Sequence, residues 1–171
     1  MVQKLTVRDD ATGLYGNYTP TVESLGAASA GKIPALDDTG RHHVSTMPVG
    51  FGADVYTATA SEALSAGDFV NSFSDSGVFS VRKADNSNGR PAHGFVLTAY
   101  TAATTATVQL LGETNTALTG LTIGATYHLG TAGGVIDTPL SNDDTGKIGQ
   151  VLGFATSATE LITQPGLPTV L

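Results

Sequence analysis

No cysteine and no tryptophan occur anywhere in the 171 residues. Without thiols there is no disulfide framework, thiolate nucleophile, zinc finger or iron–sulfur cluster. The chain is also indifferent to the redox state of its compartment. Positive charge is scarce: eight Lys and Arg stand against fifteen Asp and Glu, a net −7. The eight are Lys4, Arg8, Lys32, Arg41, Arg82, Lys83, Arg90 and Lys147, and only Arg82 and Lys83 are neighbours. Binding to nucleic acid or to an anionic membrane needs a basic stripe, so neither is expected as a partner. Long apolar runs are missing too; Phe95-Val96-Leu97 is typical of those present. Neither a signal peptide nor a membrane span is therefore expected. No window repeats Leu, Glu, Lys and Gln at the helical period, which argues against a helix bundle.

What is abundant is Thr, with 25 residues, followed by Ala and Gly with 21 each. Thr is β-branched and favours extended backbone, and frequent Gly marks frequent turns. A hydrophobic content of 40% is enough for a real core in a chain of this length.

Two textures divide the chain. Residues 1–53 have scattered apolar residues with no period, and Gly or Pro interrupts every candidate element. They read as an extended arm and linker unable to close a core alone. Val2, Leu5 and Val7 suit one short strand against a partner, and Tyr15 and Tyr18 are large amphipathic anchors. From residue 54 to 171 the pattern becomes regular. Strands are expected at Val55–Ala60, Phe69–Phe73, Val78–Arg82, Ala106–Leu110, Thr126–Leu129, Val135-Ile136, Ile148–Ala155 and Glu160–Thr163. The apolar run Gly94–Ala99 is a further candidate. Asp75-Ser76-Gly77 makes a hairpin of the second and third. Turns recur at roughly the 8–12-residue spacing of a sandwich or barrel. The fold expected is all-β, a compact barrel or sandwich of short antiparallel strands behind an extended N-terminal arm.

Candidate chemistry is sparse. His42-His43 lie on opposite faces of extended backbone, and no acid follows at ligand spacing. His93, before an apolar strand, reads as a hydrogen-bonded structural histidine, and His128 as facing solvent or a neighbour. Asn142-Asp143-Asp144 resembles the start of a calcium loop but lacks the alternation and the closing Glu. Glu113 and Asn115 fall on one face if extended, as is common in β loops. There is no nucleophile elbow, phosphate loop or His-Glu-x-x-His. The reading is therefore of a protein that is not an enzyme, with no catalytic residue, no metal and no cofactor.

A resemblance lies in architectural stretches. These are Gly31-Lys32-Ile33-Pro34-Ala35-Leu36-Asp37, Met47-Pro48-Val49-Gly50-Phe51-Gly52-Ala53-Asp54 and Ala63-Leu64-Ser65-Ala66-Gly67-Asp68-Phe69-Val70-Asn71. Further along come Val81-Arg82-Lys83-Ala84-Asp85, Pro91-Ala92-His93-Gly94-Phe95-Val96-Leu97, Gly120–Tyr127 and Gln164-Pro165-Gly166-Leu167-Pro168. Over residues 31–168 the chain resembles the head decoration, or capsid cement, proteins of tailed bacteriophages. The resemblance implies a β-rich, usually trimeric protein, made in the host cytoplasm. It would bind the outer surface of the mature capsid and reinforce contacts between major capsid subunits. Its expected partners are the major capsid protein and further copies of itself. Residues 1–30 carry no family pattern. The expected capsid contacts, Val2, Leu5, Val7, Leu14, Tyr15 and Tyr18, come instead from the missing periodicity of the arm. The alternative is a head or tail fibre module that binds the host surface. Five Tyr and no Trp offer little for stacking sugars, which disfavours it.

Overall fold

The computed structural model describes residues 5–8, 12–18, 20–30, 32–38, 40–47, 54–141 and 143–171. The chain forms two compact units, Met1–Gly52 and Ala53–Leu171.

In the first unit Leu5–Arg8 (β1) pairs antiparallel with Tyr15–Tyr18 (β2), placing Leu5 opposite Tyr18 and Arg8 opposite Tyr15. The strand expected around Leu5 and Val7 thus finds its partner inside the unit; Val2 lies outside the described residues. Two single 3₁₀ turns follow, at Gly26–Ser29 and Val44–Thr46. Bridges join Thr21 to Pro34 and Leu36 to His42. None of the side chains described in this unit is buried. Backbone and loop hydrogen bonds, such as Thr21 N–H to Ile33 O and Ser24 N–H to Ser45 Oγ, join these segments.

The second unit opens with a ring of five strands: Val55–Ala60 (β3), Phe69–Asp75 (β4), Val78–Lys83 (β5), Gly94–Phe95 (β6) and Thr105–Leu110 (β7). They close in the order β3-β5-β4-β6-β7. β4 and β5 form the expected hairpin, turning through Ser76 and Gly77, both at positive φ. The expectation of antiparallel pairing fails at one join, where β3 runs parallel to β5. The reason is arithmetic. Directions cannot alternate all the way around a ring with an odd number of strands, so one contact must be parallel. A five-stranded interior is narrow, and the sequence fills it with small residues: Ala58, Ala60, Val70, Val81, Val96, Ala106 and Val108. The Thr-rich alternation of β3 and β7 sends Ala inward and Thr outward.

Beyond β7 come Thr114-Asn115 (β8), Thr126–Leu129 (β9), Val135-Ile136 (β10), Ile148-Gly149 (β11), Val151–Ala155 (β12), Leu161–Thr163 (β13) and Thr169-Val170 (β14). Five of them form an antiparallel sheet in the order β10-β9-β12-β13-β8, while β11 pairs with β14. Of the apolar run Gly94–Ala99, only Gly94-Phe95 is strand. The barrel wall serves two cores because neighbours on a strand point to opposite faces. Val70 and Val96 fill the ring, while Phe69 and Phe95 face outward and pack with Leu129, Leu152 and Leu161. The two phenyl rings meet tilted, with centroids 5.8 Å apart.

Candidate interaction surfaces

Of the six expected contact residues, Leu14 and Tyr15 are 70% and 75% exposed. Leu5, Val7 and Tyr18 are placed by backbone pairing on the β1–β2 hairpin, Val7 opposite Gly16. Leu25 and Leu36 of the same unit are also exposed. The sequence reading passed over both because they sit in loops without period.

His43 has an acidic partner that lies 20 residues upstream, not at a motif spacing. Its Nε2 is 3.7 Å from Glu23 Oε1, and its Nδ1 is 2.8 Å from Ser45 Oγ. The outline is that of a hydroxyl–imidazole–carboxylate relay. However, the Ser45 hydroxyl also accepts the Ser24 N–H at 2.8 Å, which ties it into the loop. The group stitches residues 23–24 to 43–45. His42 is exposed. Among the described residues no three His, Asp or Glu gather as metal ligands.

In the second unit the Asp144 carboxylate is engaged by Lys147 Nζ at 2.7 Å and by the Ser141 N–H. Lys147 first, then Ser141, hold it below the ordinary carboxylate value. The turn is a closed polar loop; Asn142 lies outside the described residues. A shallow groove of about 530 Å³ runs between Tyr127, Val135, Asp137, Pro139 and Asp144.

Buried polar side chains that the sequence reading missed join the barrel to the sheet. Gln150 Oε1 accepts the Ala92 N–H at 2.8 Å, and its Nε2 donates to Ala92 O and Gly166 O. Asn86 Nδ2 donates to Leu129 O, and Asn115 Nδ2 to Gly67 O. Asn115 is thus a buried pin, while Glu113 Oε1 reaches the Asp54 N–H. Asp85 accepts from the N–H groups of Ser87 and Ala132 and from the Ser87 hydroxyl. Burial raises its pKa, but these bonds and Arg90 outweigh burial and leave it lowered.

His93 is the structural histidine expected. Its Nδ1 accepts the Ser72 N–H at 3.0 Å, covering a backbone donor of β4 just past the end of its pairing with β6. Burial pulls its pKa below 6.5. A folded pKa below the unfolded one favours the fold while the ring is neutral. That contribution is complete above 6.5 and is lost as pH falls through the lower folded value. The thermal midpoint is expected to drop across that window, and His93→Gln to flatten the drop. Superimposable profiles of midpoint against pH would contradict the assignment.

The outer face of the five-stranded sheet is mixed, with Thr114, Thr126 and His128 beside Val151 and Phe154. His128, half-buried, stands opposite Val151 and Ile136. A bulge between Val151 and Gly153 resets the alternation of β12. Leu152 and Ala155 are buried, while Val151 and Phe154 are exposed. A glycine in mid-strand was the one signal in the sequence that could have revealed this phase change.

No protein-family model matches the chain, and no curated protein matches it. Among solved structures, the chain is similar to one described as the crystal structure of the head fiber gp8.5 N base in bacteriophage phi29. The two share 13% identity and a TM-score of 0.44, over 70% of this chain and 94% of that one. At that level the likeness concerns the course of the backbone and assigns no activity or partner.

Proposed function

We propose that this protein is a phage capsid decoration protein, which binds the outer surface of the mature head and stabilises contacts between major capsid subunits. The observation that carries the reading is the contrast between the two units. Ala53–Leu171 has its own core. The described residues of Met1–Gly52 bury nothing yet expose Leu14, Tyr15, Leu25 and Leu36. A segment of this kind gains order and buried area from a surface it lies on.

Charge supports the same division. Residues 1–52 hold four of the eight basic residues and five of the fifteen acidic ones, a net −1; the remainder carries −6. The first unit is therefore nearly neutral, and the acidic second unit suits a solvated exterior. Binding only to assembled shell stabilises it by mass action without catalysis. As a homotrimer, the protein would present three first units on one base and add multivalency. Removing residues 1–30 is expected to leave a folded β unit that no longer co-sediments with capsids. Replacing Leu14 and Tyr15 together by Ser in the full chain should weaken co-sedimentation. Unchanged capsid binding by both variants would refute the proposal.

A further inference from the structure

Asn88-Gly89 is the single Asn-Gly pair in the sequence. Asparagine is thermolabile, and a following glycine, lacking Cβ, leaves its own backbone nitrogen open to the asparagine side chain. Whether such a pair reacts depends on how firmly the fold holds the two groups.

Here it holds neither. The loop is rooted by the bridge between Asp85 and Arg90 and by Asn86, which is 4% exposed. The Asn86 N–H donates to Gly130 O, its carbonyl accepts from the Ile148 N–H, and its side chain donates to Leu129 O. Ser87 is tied to Asp85. Beyond that point residues 87–89 are exposed. Among the described residues, nothing bonds the Asn88 side-chain amide or the Gly89 N–H. Apart from Gly89 and its two chain neighbours, no heavy atom lies within 4 Å of where a Cβ on Gly89 would sit. The other asparagine side chains of the second unit described here are buried and engaged. Asn71 donates to Pro91 O and accepts from Arg82 Nε, and Asn115 donates to Gly67 O and accepts from the Ala117 N–H.

We infer that Asn88 is a site of spontaneous deamidation, which marks the age of the molecule at the root of the barrel–sheet junction. The Gly89 nitrogen attacks the Asn88 side-chain carbonyl carbon. A C–N bond forms, the C–NH₂ bond breaks, and ammonia leaves with the proton from Gly89. Water then opens the cyclic imide at either carbonyl, giving aspartate or isoaspartate. One water is consumed and one ammonia released, with no redox change. The net charge moves from −7 to −8, and the isoaspartate form adds a methylene to the backbone at position 88, two residues past the buried Asn86.

The test is prolonged incubation of the full-length protein at mildly alkaline pH, followed by peptide mass mapping. The Asn88 peptide is expected to gain the mass of an NH₂-to-OH exchange and to split into two chromatographic forms. Intact protein should acquire a species one charge more acidic. Aged protein should accept methyl groups from an isoaspartate methyltransferase. Asn88→Gln, a change at an exposed position, should abolish all three signals with an unchanged circular dichroism spectrum. Conversion at Asn71, Asn86 or Asn115 before Asn88 would overturn the inference. So would an acidic species that forms equally fast in Asn88→Gln.

Discussion

Gly153→Ala is expected to lower unfolding free energy by about 3 kcal/mol or more, the sum of backbone strain and a forced clash. Gly153 sits at φ +151 in the bulge of β12. An added Cβ would lie 1.9 Å from Ile162 O and 2.9 Å from Ile162 C. Both are backbone atoms of the paired strand β13, so no side-chain rotation relieves the contact. Relief would require β12 and β13 to part, which would open the core at Leu152 and Leu161. Gly149→Ala is the control. Its Cβ would meet nothing closer than 3.8 Å, so it should change stability by no more than about 0.5 kcal/mol. Denaturant unfolding of the two variants provides the comparison. Equal midpoints would mean that the bulge is not fixed by its glycine.

Gln150→Leu is the second large effect. The side chain is 3% exposed and spans two segments distant in sequence, Ala92 and Gly166. Leucine fills a similar volume but leaves the Ala92 N–H, Ala92 O and Gly166 O without this partner. A buried polar group left unpaired costs about 1–3 kcal/mol, so a loss of about 3 kcal/mol or more is expected. The change should also be local in a way that general destabilisation is not. Amide exchange should accelerate first at Ala92 and along residues 164–171. A uniform increase across all strands would show that Gln150 merely fills space.

Much of the barrel was legible because its signals are short-range. Alternation at Val55–Ala60 and Ala106–Leu110 reports one face per strand, and Asp75-Ser76-Gly77 carries its own turn chemistry. What escaped depends on partners far along the chain. The parallel β3–β5 join follows from ring closure, which no local window contains. Gln150 and Asn115 look solvated in sequence, since nothing nearby shows that Ala92 and Gly67 need them. The strand Thr114-Asn115 is two residues long, too short for any period. Among the surface candidates, Leu14 and Tyr15 stood out as large groups in a stretch without period. Glu23 and His43 could not be paired across 20 residues of irregular loop. Val151 and Phe154 were hidden by a phase reset that a plain alternation rule reads as buried strand.

The parallel join also has a mechanical meaning. It is held by two residue pairs, Thr59 with Ser80 and Ala60 with Val81, whereas β4 meets β5 over six and β3 meets β7 over five. The joins of β6 with β4 and with β7 are equally short, two residue pairs each, so tension drawn across the cylinder falls on these three seams while the β4–β5 hairpin stays zipped.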